Sequence, residues 1–183
     1  MTVSTPATAR LQTRDDANVL LEGVSVAGAI DGLILEVAVE QRFRNPSERN
    51  IEIVYTFPLP AGAVLLGVDV RLGERQLTGA VSEKRQAAQA YEDSLAAGDA
   101  AIMLEKNHDH SYSLNLGNLA AGEACVVTMR YAETLQFEQR GLRITVPTVI
   151  APRYGDPVRD AHLAPHLVAR HALSAHYPFS LTL

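Results

Sequence analysis

The chain has 183 residues, 47% of them hydrophobic and 20% charged, with a net charge of -5 and one cysteine, Cys125. A fold of this size buries roughly 70% of its unfolded surface around one core, and a lone cysteine excludes an internal disulfide while permitting a reducing compartment. The acidic balance and scattered basic residues argue against a nucleic-acid footprint, and Asp31 and Glu36 interrupt the most apolar early run, residues 24–39, which excludes a membrane span of about 20 apolar residues.

Residues 1–17 read as a flexible arm, and 18–183 as a single domain. Met1 to Arg14 lacks the apolar stretch of a secretory signal, and Asn45 is followed by Pro46, which spoils the glycosylation sequon. With no address visible, a cytoplasmic setting is slightly favoured. Between Leu33 and Arg44, Leu35, Val37, Val39 and Phe43 share one parity, the period of a half-buried strand, with Gln41 as the polar exception. Asn45-Pro46-Ser47-Glu48 is turn chemistry. Ile51, Ile53, Tyr55 and Phe57 then resume alternation, so these two strands are expected to pair as an antiparallel hairpin. Pro58 and Pro60 end the second, and Ala61-Gly62 turns the chain.

Val64, Leu66, Val68, Val70 and Leu72 alternate up to a turn at Gly73-Glu74, and Leu77 to Val81 is expected to form a short strand. An amphipathic helix follows over about 83–97. Ala87, Ala88, Tyr91 and Leu95 line its apolar face, Ser82 is placed to cap it, and Gly98 to end it. Further short strands follow at Ala101 to Leu104, at Tyr112, Leu114 and Leu116 up to a break at Gly117-Asn118, and at Cys125, Val127, Met129 and Tyr131. Leu142, Ile144 and Val146, and then Phe179 to Leu183, complete the series. About eight to ten short strands with one helix predict a mainly β fold, an antiparallel β-sandwich.

Several ordered pieces carry a family resemblance: Phe43-Arg44-Asn45-Pro46, Tyr55-Thr56-Phe57-Pro58-Leu59-Pro60, Glu83-Lys84, Ala87, Tyr91-Glu92, Gly98 and Leu104-Glu105. Gly117-Asn118-Leu119, Gly122-Glu123, Tyr131 and Pro152-Arg153-Tyr154 continue it. The run from about residue 37 to 154 resembles the vault protein inter-alpha-trypsin (VIT) domain. The resemblance implies a mainly β domain without catalytic residues of its own. Such domains usually sit N-terminal to a von Willebrand A domain, as in inter-alpha-trypsin inhibitor heavy chains. The chain stops at Leu183, so it is expected to be a fragment or to work alone. Most matching residues read as fold residues; Gly98, Gly117 and Gly122 are expected at positive φ.

The expected function is a protein-protein interaction or scaffolding module. Its candidate surface is Glu83, Lys84, Arg85, Gln89, Glu92 and Glu105, and its partner a von Willebrand A domain in cis or in trans. No cofactor is expected, since phosphate loops, nucleophile elbows and dinucleotide fingerprints are all missing. Two further classes stand beside it. One is a metal-binding protein or metal-dependent hydrolase using His108 and His110, or His162 and His166 one helical turn apart, although no H-E-x-x-H motif accompanies them. The other is a small-ligand carrier with a cavity between the sheets. Asp109-His110-Ser111-Tyr112-Ser113 matches a D-x-S-x-S cation motif, yet its flanks read as a turn and a strand start. Cys125 alternates in phase with Val127 and Met129 and is expected to be a buried, inert thiol.

Overall fold

The structure, a computed structural model, describes residues 10–13, 18–60, 62–79, 84–106, 111–138, 140–146 and 177–183. In chain order the elements are β1 (Arg10–Thr13), β2 (Asn18–Asp31), β3 (Ile34–Arg44), β4 (Ile51–Pro58), β5 (Val64–Leu72), β6 (Arg75–Thr78) and α1 (Lys84–Ala96). There follow β7 (Ala101–Lys106), β8 (Ser111–Leu119), β9 (Ala124–Thr134), β10 (Phe137–Glu138), β11 (Gly141–Leu142) and β12 (Phe179–Thr182). The main sheet runs β6-β5-β9-β3-β2-β1-β4-β8-β7, with β12 added to β2; β10 and β11 form a separate small ribbon. Every pairing among the described residues is antiparallel except that of β12 with β2. Among the described residues the fold is mainly β with one helix, as the sequence predicts.

One hydrogen-bonded sheet makes both layers of the sandwich by folding over. Phe43 on β3 and Tyr55 on β4 have ring centroids 5.6 Å apart, although β2 and β1 lie between their strands in the sheet. In a flat sheet three strand spacings would separate them by roughly 14 Å. Tyr55 stacks on Phe57 at 5.4 Å and Phe57 on Tyr112 at 5.6 Å, so a row of four rings runs through the fold. Around it, Leu35 and Val37 of β3, Val68, Val70 and Leu72 of β5, Leu114 and Leu116 of β8, and Cys125, Val127, Met129 and Tyr131 of β9 belong to one buried cluster.

The pairing partners differ from the expectation at β3 and β4. They do not form a hairpin: β3 pairs with β2 and β9, and β4 with β1 and β8. The two-residue turn at Gly32-Leu33, where Gly32 has φ +60°, joins β2 directly to β3, and so claims the edge that β4 would need. In β5 the register shifts between Leu65 and Gly67, which turns Val64 and Leu66 out to solvent while Val68, Val70 and Leu72 stay buried. The strand expected at Leu77 to Val81 begins earlier, at Arg75–Thr78, because the tight Gly73-Glu74 turn brings Arg75 straight into pairing with Leu72; Ala80 and Val81 lie outside the described residues. Only Gly141 and Leu142 of the expected strand through Val146 are in a strand, since β10 offers just two residues to pair with.

Candidate functional site

α1 lies on the outer face of β7 and β8. In β8, Leu114 and Leu116 point into the central cluster, so Gly117, of the opposite parity, faces outward beneath the helix. A β-carbon on Gly117 would overlap Leu95 Cδ2 and stand 3.1 Å from the Tyr91 hydroxyl. Gly117 is therefore a site of close approach, not of positive φ; the left-handed residue is Asn118, at φ +56°. β8 runs on through both to Leu119, and the expected break takes the form of a register shift against β4 across Gly117 and Asn118, which returns Leu119 to the core. Gly98 and Gly122 have the positive φ that was expected of them. Tyr91 is 6% exposed but stands outside the central cluster, so the helix makes a small second core of its own.

The C-terminus of α1 is closed tightly. Gly98 N donates to Leu95 O at 3.0 Å and Asp99 N to Ser94 O at 2.9 Å, the paired bonds of a Schellman cap made possible by φ +82° at Gly98. Asn118 Nδ2 donates to Asp99 O at 2.9 Å, which ties the helix end to β8. On the side away from the sheet, Gln86, Gln89, Glu92 and Asp93 are exposed, and Gln89 Nε2 donates to Asp93 Oδ1 at 2.8 Å.

Of the candidate surface residues, Gln89 and Glu92 share this exposed helix. Glu105 lies half-buried on β7, the strand against which α1 packs, and it is already engaged in an interaction. Lys84 and Arg85 fall in the first turn of α1, with side chains outside the described residues, as Ser82 and Glu83 are entirely. His108, His110, His162 and His166 also lie outside the described residues, so the metal expectation is not placed. Ser111 opens β8, the strand start expected of that motif, while Asp109 is not described. Cys125 is buried, and burial, with a smaller contribution from Glu123, pushes its thiol up to about 12.

A polar corner that local sequence does not disclose lies at the opposite edge of β8, around Asn45, which by its neighbours reads only as turn chemistry. Asn45 is fully buried; its Nδ2 faces Arg49 O at 2.7 Å, Ala120 O at 2.9 Å and Leu119 O at 3.2 Å. Its Oδ1 accepts from Ser47 N at 3.0 Å and Ser47 Oγ at 2.6 Å. Glu123 closes the same corner, accepting from Ala120 N and from Arg75 Nη2, each at 2.9 Å. The pieces of the resemblance thus touch one another: Asn45 meets Leu119, Arg44 meets Gly122, and Tyr91 meets Gly117. Their ordered spacing in the chain was the available signal.

Comparison with known proteins agrees with this pattern. The model of the vault protein inter-alpha-trypsin domain matches residues 21–131. The von Willebrand factor A domain-containing protein 5A of Rattus norvegicus is 30% identical over 148 residues, covering 79% of this chain and 18% of that protein. The protein mono-ADP-ribosyltransferase PARP4 of Mus musculus is 24% identical over 155 residues, 85% of this chain and 8% of the relative. A von Willebrand factor A domain-containing protein of Dictyostelium discoideum is 34% identical over 83 residues, 45% of this chain and 9% of its own length. The chain spans less than a fifth of each of these relatives.

Proposed function

Because the chain belongs to the vault protein inter-alpha-trypsin domain family, we propose that it is a non-enzymatic protein-interaction module whose partner is a von Willebrand A domain, in the same protein or in another. Relatives named for their von Willebrand A domain support the choice of partner. The transferase activity named for the mouse relative is that protein's own and is not carried over here.

The observation that carries the reading is the α1 platform. Tyr91 and Gly117 hold one side of the helix against β8, and the Gly98 cap fixes its end. A rigid helix that keeps its polar side chains outward presents a binding surface at little entropic cost. The proposed contact residues are Glu83, Lys84, Arg85, Gln89, Glu92 and Glu105.

Calorimetric titration of the chain with a purified von Willebrand A domain from the same genome tests this. Saturable binding is expected, weakened at least about tenfold, or 1.4 kcal/mol, by the combined change Arg85→Glu, Gln89→Arg and Glu92→Lys. Undiminished binding by that variant overturns the surface, and no binding by the unaltered chain overturns the partner.

A further inference from the structure

We propose that the chain self-associates through β12, two copies pairing as antiparallel strands about a twofold axis at Leu181. β12 runs parallel to β2, with Phe179 beside Val24 and Leu181 beside Val26. Val24 N donates to Pro178 O at 3.0 Å, which fixes the direction of the backbone groups. The N–H and C=O of one strand residue point to the same side, and successive residues alternate. Pro178, Ser180 and Thr182 therefore address β2. Phe179, Leu181 and Leu183 direct their N–H and C=O groups to the other edge, where no strand lies among the described residues.

Among the described residues that edge is short but is neither charged nor covered by another strand. Residues 179–182, Phe-Ser-Leu-Thr, contain no charge and no proline. Phe179, Leu181 and Leu183 are 48%, 49% and 59% exposed. In register they share the face of buried Val24 and Val26, and Leu183 lies against Gly28, so they extend the inner apolar face past its present boundary.

The sequence of the edge fits a second copy of itself. Residues 179–183 read apolar, polar, apolar, polar, apolar, a pattern symmetric about Leu181. In antiparallel pairing Leu181 faces Leu181 of the second copy, and Phe179 faces its Leu183. Each of these positions has its amide directed outward, so they form the hydrogen-bonded pairs, while Ser180 faces Thr182 of the second copy in the non-hydrogen-bonded pair between them. Six apolar side chains then make one continuous stripe. No like charges meet, and the patch satisfies the self-complementarity that a twofold interface requires.

Sedimentation equilibrium of the full chain, over a wide concentration range, is expected to show a species of twice 19.8 kDa. Leu181→Pro removes the outward N–H and leaves the bonds to β2, so it should weaken dimerisation at least about tenfold. Leu181→Lys, which keeps the backbone and charges the stripe, should do the same while melting like the parent at concentrations where the parent is dissociated, and decides the matter if the proline variant misfolds. The double variant Ser180→Cys, Thr182→Cys should oxidise to a covalent dimer. A chain monomeric at every concentration, or a dimer indifferent to Leu181→Lys, overturns the proposal.

Discussion

The hydroxyl of Tyr91 on α1 stands 3.1 Å from the point that a β-carbon on Gly117 of β8 would occupy, and Leu95 fills the rest of that space. The helix therefore rests directly on backbone, and a methyl group at 117 must lift it. Gly117→Ala is expected to cost about 2 kcal/mol by overpacking, and Tyr91→Ala about 3 kcal/mol by loss of the buried ring. Gln86→Ala, on the exposed side, should change stability by less than about 0.5 kcal/mol. Urea melts measure all three; equal losses at positions 86 and 91 would place the buried face wrongly.

Asn45 joins the loop after β3 to the turn before β9, with both ends of its side chain in use inside the protein. Asn45→Ala leaves those carbonyls without their donor and should cost about 3 kcal/mol. Asn45→Asp should be worse at neutral pH, because it turns a carboxylate towards carbonyl oxygens. Burial and those oxygens would raise the pKa of the introduced carboxyl, so its deficit should narrow as pH falls and the acid regains a donor. Denaturation across pH checks the ordering: an aspartate variant as stable as the parent at neutral pH would contradict the account of this corner.

Alternation reports which face a residue takes but not which strand it pairs with, and this sets what could be read from the sequence. Cys125, Val127, Met129 and Tyr131 were legible because one parity of β9 enters the core without interruption. The partner of β4 was not, since both β3 and β4 carry the same pattern and the decisive turn at Gly32-Leu33 lies one strand earlier. The bulge at Leu65 to Gly67 reverses parity within a run that looks regular, so Val64 and Leu66 were misplaced. Gly117 shows the same limit. A glycine marks a need for space or for positive φ, and only the packing of Leu95 and Tyr91 tells which. The helix and its Gly98 end were legible because caps and a 3.6-residue period are local, whereas Asn45 acts through residues about 75 positions away.

Cys125 provides a test by pH. Burial raises its thiol from 9.0 to about 12, so the native state favours the protonated form. The unfolded thiol ionises first as pH rises. Its contribution is therefore complete below about pH 9.0 and is lost progressively between there and about 12, at up to about 1.4 kcal/mol per pH unit. The stability advantage of the parent over Cys125→Ala should shrink across that window, and a thiol reagent should label the native chain only after denaturant is added. Rapid stoichiometric labelling of the native chain would show the thiol to be accessible.

The most direct test of the central claim is to follow the backbone amides of the isotopically labelled chain by NMR during titration with a von Willebrand A domain. Shifts are expected to concentrate at Glu83, Lys84, Arg85, Gln89, Glu92 and Glu105, with the amides of the Asn45 corner unmoved. Shifts centred on another face, or none at saturating partner, would contradict it.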